Sequence, residues 1–279
     1  VSVTGVMATT EKLGDPEFLA SGSYLRLRRD VEQYVWVEHS DSETRDKVGG
    51  GTETVTTYTY EMEWTSNPPD SSRFEDRSRR NPPQRVTSES WTAAQASIGA
   101  WGFDVHSADL PGSERVSVSQ DMLRGQAAAG TLQGGYVYLG GAASNPTLGD
   151  HRVSFSAITS GDTATAFGLA RGARLEPYAY EAGESWLGVR YGSREEAIAT
   201  FNTEHTMMMW ILRIAGFFMM FIGMNMVFSP LQAIAGIIPF IKRGTTKLVS
   251  LVTFPIALVL TALTIVVGKI FHSVLGLII

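Results

Sequence analysis

The 279-residue chain carries 23 Lys and Arg against 28 Asp and Glu, a formal net charge of −5, and has no cysteine. Disulfides and thiolate-held metals are therefore excluded, and the acidic balance argues against nucleic acid, whose binding needs a positive surface. The average conceals a division: beyond His205 the only charges are Arg213, Lys242, Arg243, Lys247 and Lys269, so all 28 acidic residues and a net charge of −10 fall before it.

The chain opens at Val1 to Val6 as a strand, with no charged-then-apolar leader. A signal peptide or N-terminal span would then lie outside the sequence. From Tyr24 to Glu38, Leu25, Leu27, Val31, Val35 and Val37 share one face. Arg26, Arg28, Asp30, Glu32, Trp36 and Glu38 share the other, the period of two of a half-buried strand. After the Gly49-Gly50-Gly51 loop, Thr57, Thr59, Glu61 and Glu63 alternate with Tyr58, Tyr60, Met62 and Trp64, which predicts a hairpin. Core packing is the expected role of Tyr58, Tyr60 and Trp64. Glu61 and Glu63, about 6.5–7 Å apart by strand rise, are expected to be solvated rather than a reactive pair.

Asn67-Pro68-Pro69 and Asn81-Pro82-Pro83 bracket the charged stretch Arg73 to Arg80. Paired prolines cannot continue a central strand, so this is expected to be an exposed excursion. Shorter strands are predicted at Arg115–Val118, Gly135–Leu139, Arg152–Ile158 and Thr163–Leu169. Ser193 is the expected N-cap of a short helix leading toward the apolar tail.

Residues 207–228 form an apolar run with one charge, Arg213, and 248–269 form a second that contains Pro255. Each supplies the ~20 residues that a helix needs to cross a bilayer. Between them, 229–241 is bounded by Pro230 and Pro239 and is too short to span, which predicts a re-entrant or interfacial segment. Lys242, Arg243 and Lys247 would form a short cytoplasmic loop by the positive-inside bias, placing the acidic portion periplasmic or luminal. His272-Ser273 would turn the chain into a further span, begun at Val274 and truncated. Arg213 and Lys269 are expected to reach the headgroups, and Gly216 and Gly223 to permit close helix contact.

A search for chemistry finds little. His39, His106, His151, His205 and His272 are isolated in sequence, with no metal-ligand spacing. There is no Gly-x-Ser-x-Gly elbow, and Gly49-Gly50-Gly51 lacks the residues of a phosphate loop. No catalytic, metal or cofactor-binding residue is assigned.

The string LRLRRDVEQYVWVE from Leu25 to Glu38 resembles the LUMA (transmembrane protein 43) family and its bacterial relatives. The resemblance continues through Thr57–Trp64, Asp70–Phe74, Arg80–Pro83, Gly149–Phe155, Arg213–Phe217 and Met220–Met224. It departs at Lys269-Ile270-Phe271-His272-Ser273, where the family has a Trp-rich turn with Arg-Pro. The motif residues, structural or interaction-forming, are Arg28, Glu32, Trp36, Glu38, Tyr58, Tyr60, Glu63, Trp64, Ser72, Phe74, Asn81, Pro82 and Pro83. The resemblance implies a luminal or periplasmic domain, an N-terminal span that this sequence lacks, and three closely spaced C-terminal spans. Animal members are endoplasmic-reticulum and inner-nuclear-membrane proteins linked to emerin and lamins; this chain reads as a bacterial inner-membrane member.

The expected architecture is a β-rich (α+β) extramembrane domain, 1–205, and an α-helical transmembrane module, 206–279. The expected function is a non-enzymatic membrane protein that self-associates and organises a membrane complex or domain. Its expected partners are membrane lipids, a second copy and other membrane proteins, not nucleic acid. The alternative is an ion channel or transporter subunit using Arg213, Asn225 and Lys269.

Overall fold

A computed structural model of the chain describes all residues except 48–50, 182, 236–241 and 279. Two compact units result, Val1–Ala197 and Ile198–Ile279. In chain order the first holds β1 (Ser2–Ala8), β2 (Leu13–Asp15), β3 (Leu19–Gly22) and the long hairpin β4 (Tyr24–Asp46) and β5 (Thr52–Thr65). Next come β6 (Glu89–Thr92), β7 (Gln95–Ile98), β8 (Trp101–Asp104), β9 (Glu114–Arg115) and a single helical turn, α1 (Gly125–Ala128). Then follow β10 (Thr131–Gln133), β11 (Tyr136–Leu139), β12 (His151–Thr159), β13 (Thr163–Phe167), β14 (Leu169–Arg171) and β15 (Arg174–Glu176). The unit closes with β16 (Tyr178–Glu181), β17 (Glu184–Trp186) and β18 (Gly188–Tyr191).

Two larger sheets organise these strands, in the orders β14-β15-β8-β7-β1-β13-β18 and β10-β11-β12-β4-β5, with β6 and β9 added to the second. The predicted hairpin forms and is longer than its hydrophobic pattern: β4 pairs β5 from Gln33–Thr65 out to Asp46–Thr52. Gly49 and Gly50 of its connection lie outside the described residues. The inward face of β4 carries Leu25, Leu27, Val31 and Val35, all fully buried. Arg29 and Gln33 lie on that same face and are buried with them, which alternation alone does not announce. Two apolar cores result, meeting at β4: Leu25 joins Met7, Ile98 and Phe103, while Leu27 and Val31 join Phe18, Val153 and Phe155.

The ion pair of Arg29 with Asp15, 2.5 Å, is buried on both sides. The guanidinium also lies over Phe18 and Trp91 and donates to the Thr87 carbonyl. Hydrogen bonds and ring faces on several sides are what make a buried charge tolerable.

The helical part differs from expectation in four places. Ser193 caps as predicted: its hydroxyl accepts from the Glu196 N–H and the Glu196 carboxylate accepts from the Ser193 N–H. The helix it starts is not short, for α2 runs unbroken from Arg194 to Ala235. No glycine stop or proline stands between residue 194 and the apolar run, so nothing ends the helix at the water boundary. The same helix continues through Pro230, so the first part of the 229–241 segment is a continuation of α2; residues 236–241 lie outside the described residues. Lys242, Arg243 and Lys247 fall in the first turns of α3 (Lys242–Ile278), not in a loop, and α3 passes through His272-Ser273 without the predicted turn. Neither His nor Ser breaks a helix, and the chain there lacks the Arg-Pro of the resembling turn.

Both helices hold stretches long and apolar enough to cross a membrane, Arg194–Val227 and Thr253–Ile270. Within their unit they pack through Phe217 and Phe221 against Phe254. Asn225 donates to the Phe221 carbonyl and accepts from Thr253, which is 1% exposed. Among the described residues, no atom beyond the helix's own adjoining turns lies within 4 Å of where a Cβ on Gly216 or Gly223 would sit, so neither is a point of close approach between the described parts of the helices.

Candidate interaction surface

The outward face of the second sheet gathers the motif residues. Side chains alternate across a strand, so Arg28, Glu32, Trp36 and Glu38 of β4 share a face with their cross-strand neighbours Tyr58, Tyr60 and Trp64 of β5. Arg152 of β12, opposite Glu32 in the register, bonds its carboxylate at 2.6 Å and lies over the rings of Trp64 and Tyr136. Trp64 packs against Tyr34 and edge-on to Tyr138. The expectation that Tyr58, Tyr60 and Trp64 enter the core is corrected. Tyr58 is exposed, Tyr60 and Trp64 are half-buried, and their neighbours are arginines on an outer face. Rings clasped by guanidinium groups satisfy the same apolar need without entering a core.

The Asn67–Pro83 excursion is not simply exposed. Asp70 caps a turn of 3-10 helix, Ser71–Arg73, which buries Ser71 and Phe74. Phe74 packs against Tyr60, whose hydroxyl donates to Glu38 at 2.6 Å and accepts from the Asp76 N–H. Glu38 also accepts from the Glu75 N–H. Partial burial, then the hydrogen bond to Glu38, raise the Tyr60 phenol above its usual pKa. Arg79 lies between Trp36 and Tyr60, 4.2 and 4.9 Å from their ring centres.

Asn81 has a strand's role without being in one. Its amide both accepts from the Trp36 N–H and donates to the Trp36 carbonyl, each at 2.9 Å, occupying the ladder position past the end of β12. Pro82 follows against Gly149, whose φ of +93° and whose missing Cβ, which would stand 2.8 Å from the Pro82 ring, both call for glycine. Of the motif residues, Ser72 and Arg28 stand apart. Ser72 is exposed, its neighbour Ser71 being the one that accepts from the Asn81 N–H, and Arg28 pairs with Asp30 at the surface. Glu63 points to the opposite face of β5.

On that opposite face the fold joins residues that sequence spacing leaves apart. His39, Glu61 and Glu63 bring one ligand atom each within 4.8 Å of one another, and His39 Nε2 lies 2.9 Å from Glu63. Histidine isolation therefore holds in sequence and not in space, although all three side chains stay solvent-facing. A pocket of about 430 Å3 lies behind Pro82, lined by Gln33, Arg85, Asp150 and His151 among others. Gln33 Oε1 is buried there without a partner among the described residues. Burial, then the Arg85 charge, hold His151 below the ordinary histidine pKa, so the neutral ring accepts from the Arg85 N–H.

Beyond Glu38 the hairpin leaves the rest of the sheet. Along 39–45 and 52–59 every described side chain except Thr56 is exposed on both faces. β5 is the last strand of its sheet, and none of the described strands covers its outer edge. That edge, TETVTTYTYEMEWT, is rich in β-branched and aromatic residues and contains no Lys, Arg or Pro.

Compared with known proteins, the chain matches the family model described as Transmembrane protein 43 over residues 33–274. It is similar to Transmembrane protein 43 of Mus musculus, 28% identical over 98% of this chain and 71% of the relative. The same identity and coverage hold for Transmembrane protein 43 of Homo sapiens. The Transmembrane protein 43 homolog of Drosophila melanogaster is 26% identical over 81% of this chain and 61% of its own length. No solved structure matches.

Proposed function

This chain belongs to the transmembrane protein 43 family, and from that premise we propose that it is a non-enzymatic integral membrane protein that self-associates and organises a membrane complex. The observation that carries this reading is the uncovered edge of β5. Long, regular edge strands without prolines, lysines or bulges are templates for strand addition, and proteins that stay monomeric blunt them. A two-stranded ribbon is also marginal on its own in water, so the distal half of the hairpin gains stability from a partner. A second copy meeting it edge to edge about a two-fold axis continues the ladder on both sides.

The register supplies the test. Asn81 takes the Trp36 N–H and C=O from the side away from β5, so Trp36 and Met62 are a non-hydrogen-bonded pair. The N–H groups of Met62, Tyr60, Tyr58 and Thr56 then point outward. Thr56→Pro removes one outward donor and leaves the β4–β5 ladder intact. Native mass spectrometry of the full chain in lipid nanodiscs should find a defined homo-oligomer that Thr56→Pro dissociates. A monomer under both conditions would remove the basis for the reading.

The alternative, a channel or transporter, calls on Asn225 to line a pore. Its engagement with the Phe221 carbonyl and Thr253 favours a packing role within the helix pair. For orientation, the basic cluster at the start of α3 supports a cytoplasmic α2–α3 connection and a β-rich unit in the periplasm or a lumen.

A further inference from the structure

Arg213 and Lys269 are far apart in sequence, and each by itself reads as a cation reaching for headgroups. In the folded helix pair they line one groove between α2 and α3, together with Gly216, Met220, Thr264 and Gly268. The groove measures about 840 Å3, within the ~300–1,000 Å3 of small-molecule sites. Its walls are mainly apolar, and the space beside both glycines is open, with no atom of the described residues beyond the helix's own adjoining turns within 4 Å of a Cβ position.

Two like charges in one apolar groove require a counter-charge, since an unpaired cation at membrane depth is costly. The apolar stretches cannot supply it, because no Asp or Glu occurs after Glu204, and Glu204 precedes Arg213 by nine residues, about 13 Å along α2 and on its opposite face. Among the described residues, the partner found for Arg213 is the face of Trp210, 5.1 Å from the ring centre, which brings no charge. The anion must come from outside this part of the chain. Depth narrows its nature. Arg213 stands six residues into the apolar run that begins at Met207, ~9 Å by helical rise. Lys269 lies at the end of the other apolar stretch, Thr253–Ile270. Both are thus within side-chain reach of the phosphate level of one leaflet.

We propose that this groove binds one acidic phospholipid. Arg213 and Lys269 hold the headgroup phosphate, the guanidinium by its planar fork and the ammonium as a point charge. An acyl chain lies along Gly216, Met220, Thr264 and Gly268. The site is independent of the β5 edge, so it stands or falls apart from self-association.

The test uses the full chain in phosphatidylcholine nanodiscs containing brominated-chain phosphatidylglycerol. Trp210 is the one tryptophan in the apolar segments and its ring lies against Arg213, so a difference in quenching between two lipid classes reports which of them gathers beside Arg213. Brominated phosphatidylglycerol is expected to quench at least several-fold more effectively than brominated phosphatidylcholine at equal mole fraction. The double variant R213Q/K269Q should abolish the preference. Gly268→Leu should reduce quenching by filling the groove while both charges remain, a result that a merely electrostatic surface would not give. Circular dichroism of each variant establishes that the helices are retained; a variant that loses them is replaced by Thr264→Leu, read the same way. Equal quenching by the two lipids, or an undiminished preference in R213Q/K269Q, would overturn the proposal. So would loss of the preference on adding millimolar inorganic phosphate, which would mark a site for the free anion.

Discussion

Asp15 and Arg29 form the most consequential pair in the β-rich unit, because Asp15 is fully buried and Arg29, buried beside it, would keep only its longer, 3.3 Å ion pair with the more exposed Glu89. Asp15→Ala should destabilise that unit toward the lower end of the about 3–5 kcal/mol that breaking a buried pair costs, because Glu89 still faces the guanidinium. Asp15→Asn should cost less, since an amide oxygen still accepts from the guanidinium. Denaturant unfolding followed by tryptophan fluorescence measures both, and equal effects would mean that charge is unimportant there. His151 makes a different prediction. Its folded-state pKa lies below the ordinary 6.5, so below that pH the unfolded chain binds the proton more readily. Its contribution is therefore complete above pH 6.5 and is lost as the pH falls further. Thermal melts from pH 7 down should show a decline in stability that His151→Gln flattens; parallel profiles would assign the decline to other groups. None of this was visible in residue spacing. Arg29 and Gln33 interrupt an apolar face by type while following its period, and Arg79 and Arg152 have no local signature marking the rings they cover.

At the level of elements, Asn81 shows how a side chain substitutes for a strand. Asn81→Ala leaves the Trp36 N–H and C=O without their partners, at an expected cost of about 1–3 kcal/mol. Amide hydrogen exchange at Trp36 should accelerate correspondingly, and unchanged exchange would show that water satisfies the site equally well. The hairpin was legible because its alternation is strong over fifteen residues from Tyr24 to Glu38 and repeats from Thr57 to Trp64. The strands between Glu89 and Asp104, and those after Leu169, went unread because they run three or four residues each and have no room to display a period. The helix boundaries were misread for the opposite reason. Pro230 and the His272-Ser273 pair look like punctuation, yet proline is tolerated within apolar helices and neither His nor Ser terminates one.

The absence of cysteine makes the topology of the whole molecule directly testable. Ser40→Cys on the hairpin should react with a membrane-impermeant maleimide added outside intact cells with a permeabilised outer envelope, or inside opened luminal vesicles. Labelling from the cytoplasmic side instead would reverse the proposed orientation. What the sequence by itself determined was a β-rich part followed by two apolar helices: charge and hydropathy are sums over many residues, and a segment with no acids and ~20 apolar residues has few environments open to it. The family strings and the central hairpin belong to the same class, being local and periodic. Only the tertiary structure decided what those residues face. A strand's alternation tells which side chains share a face but not whether that face meets a core, a clasp of arginines or water. Likewise, Arg213 and Lys269 become one site only when two helices separated by a long stretch of chain are laid side by side.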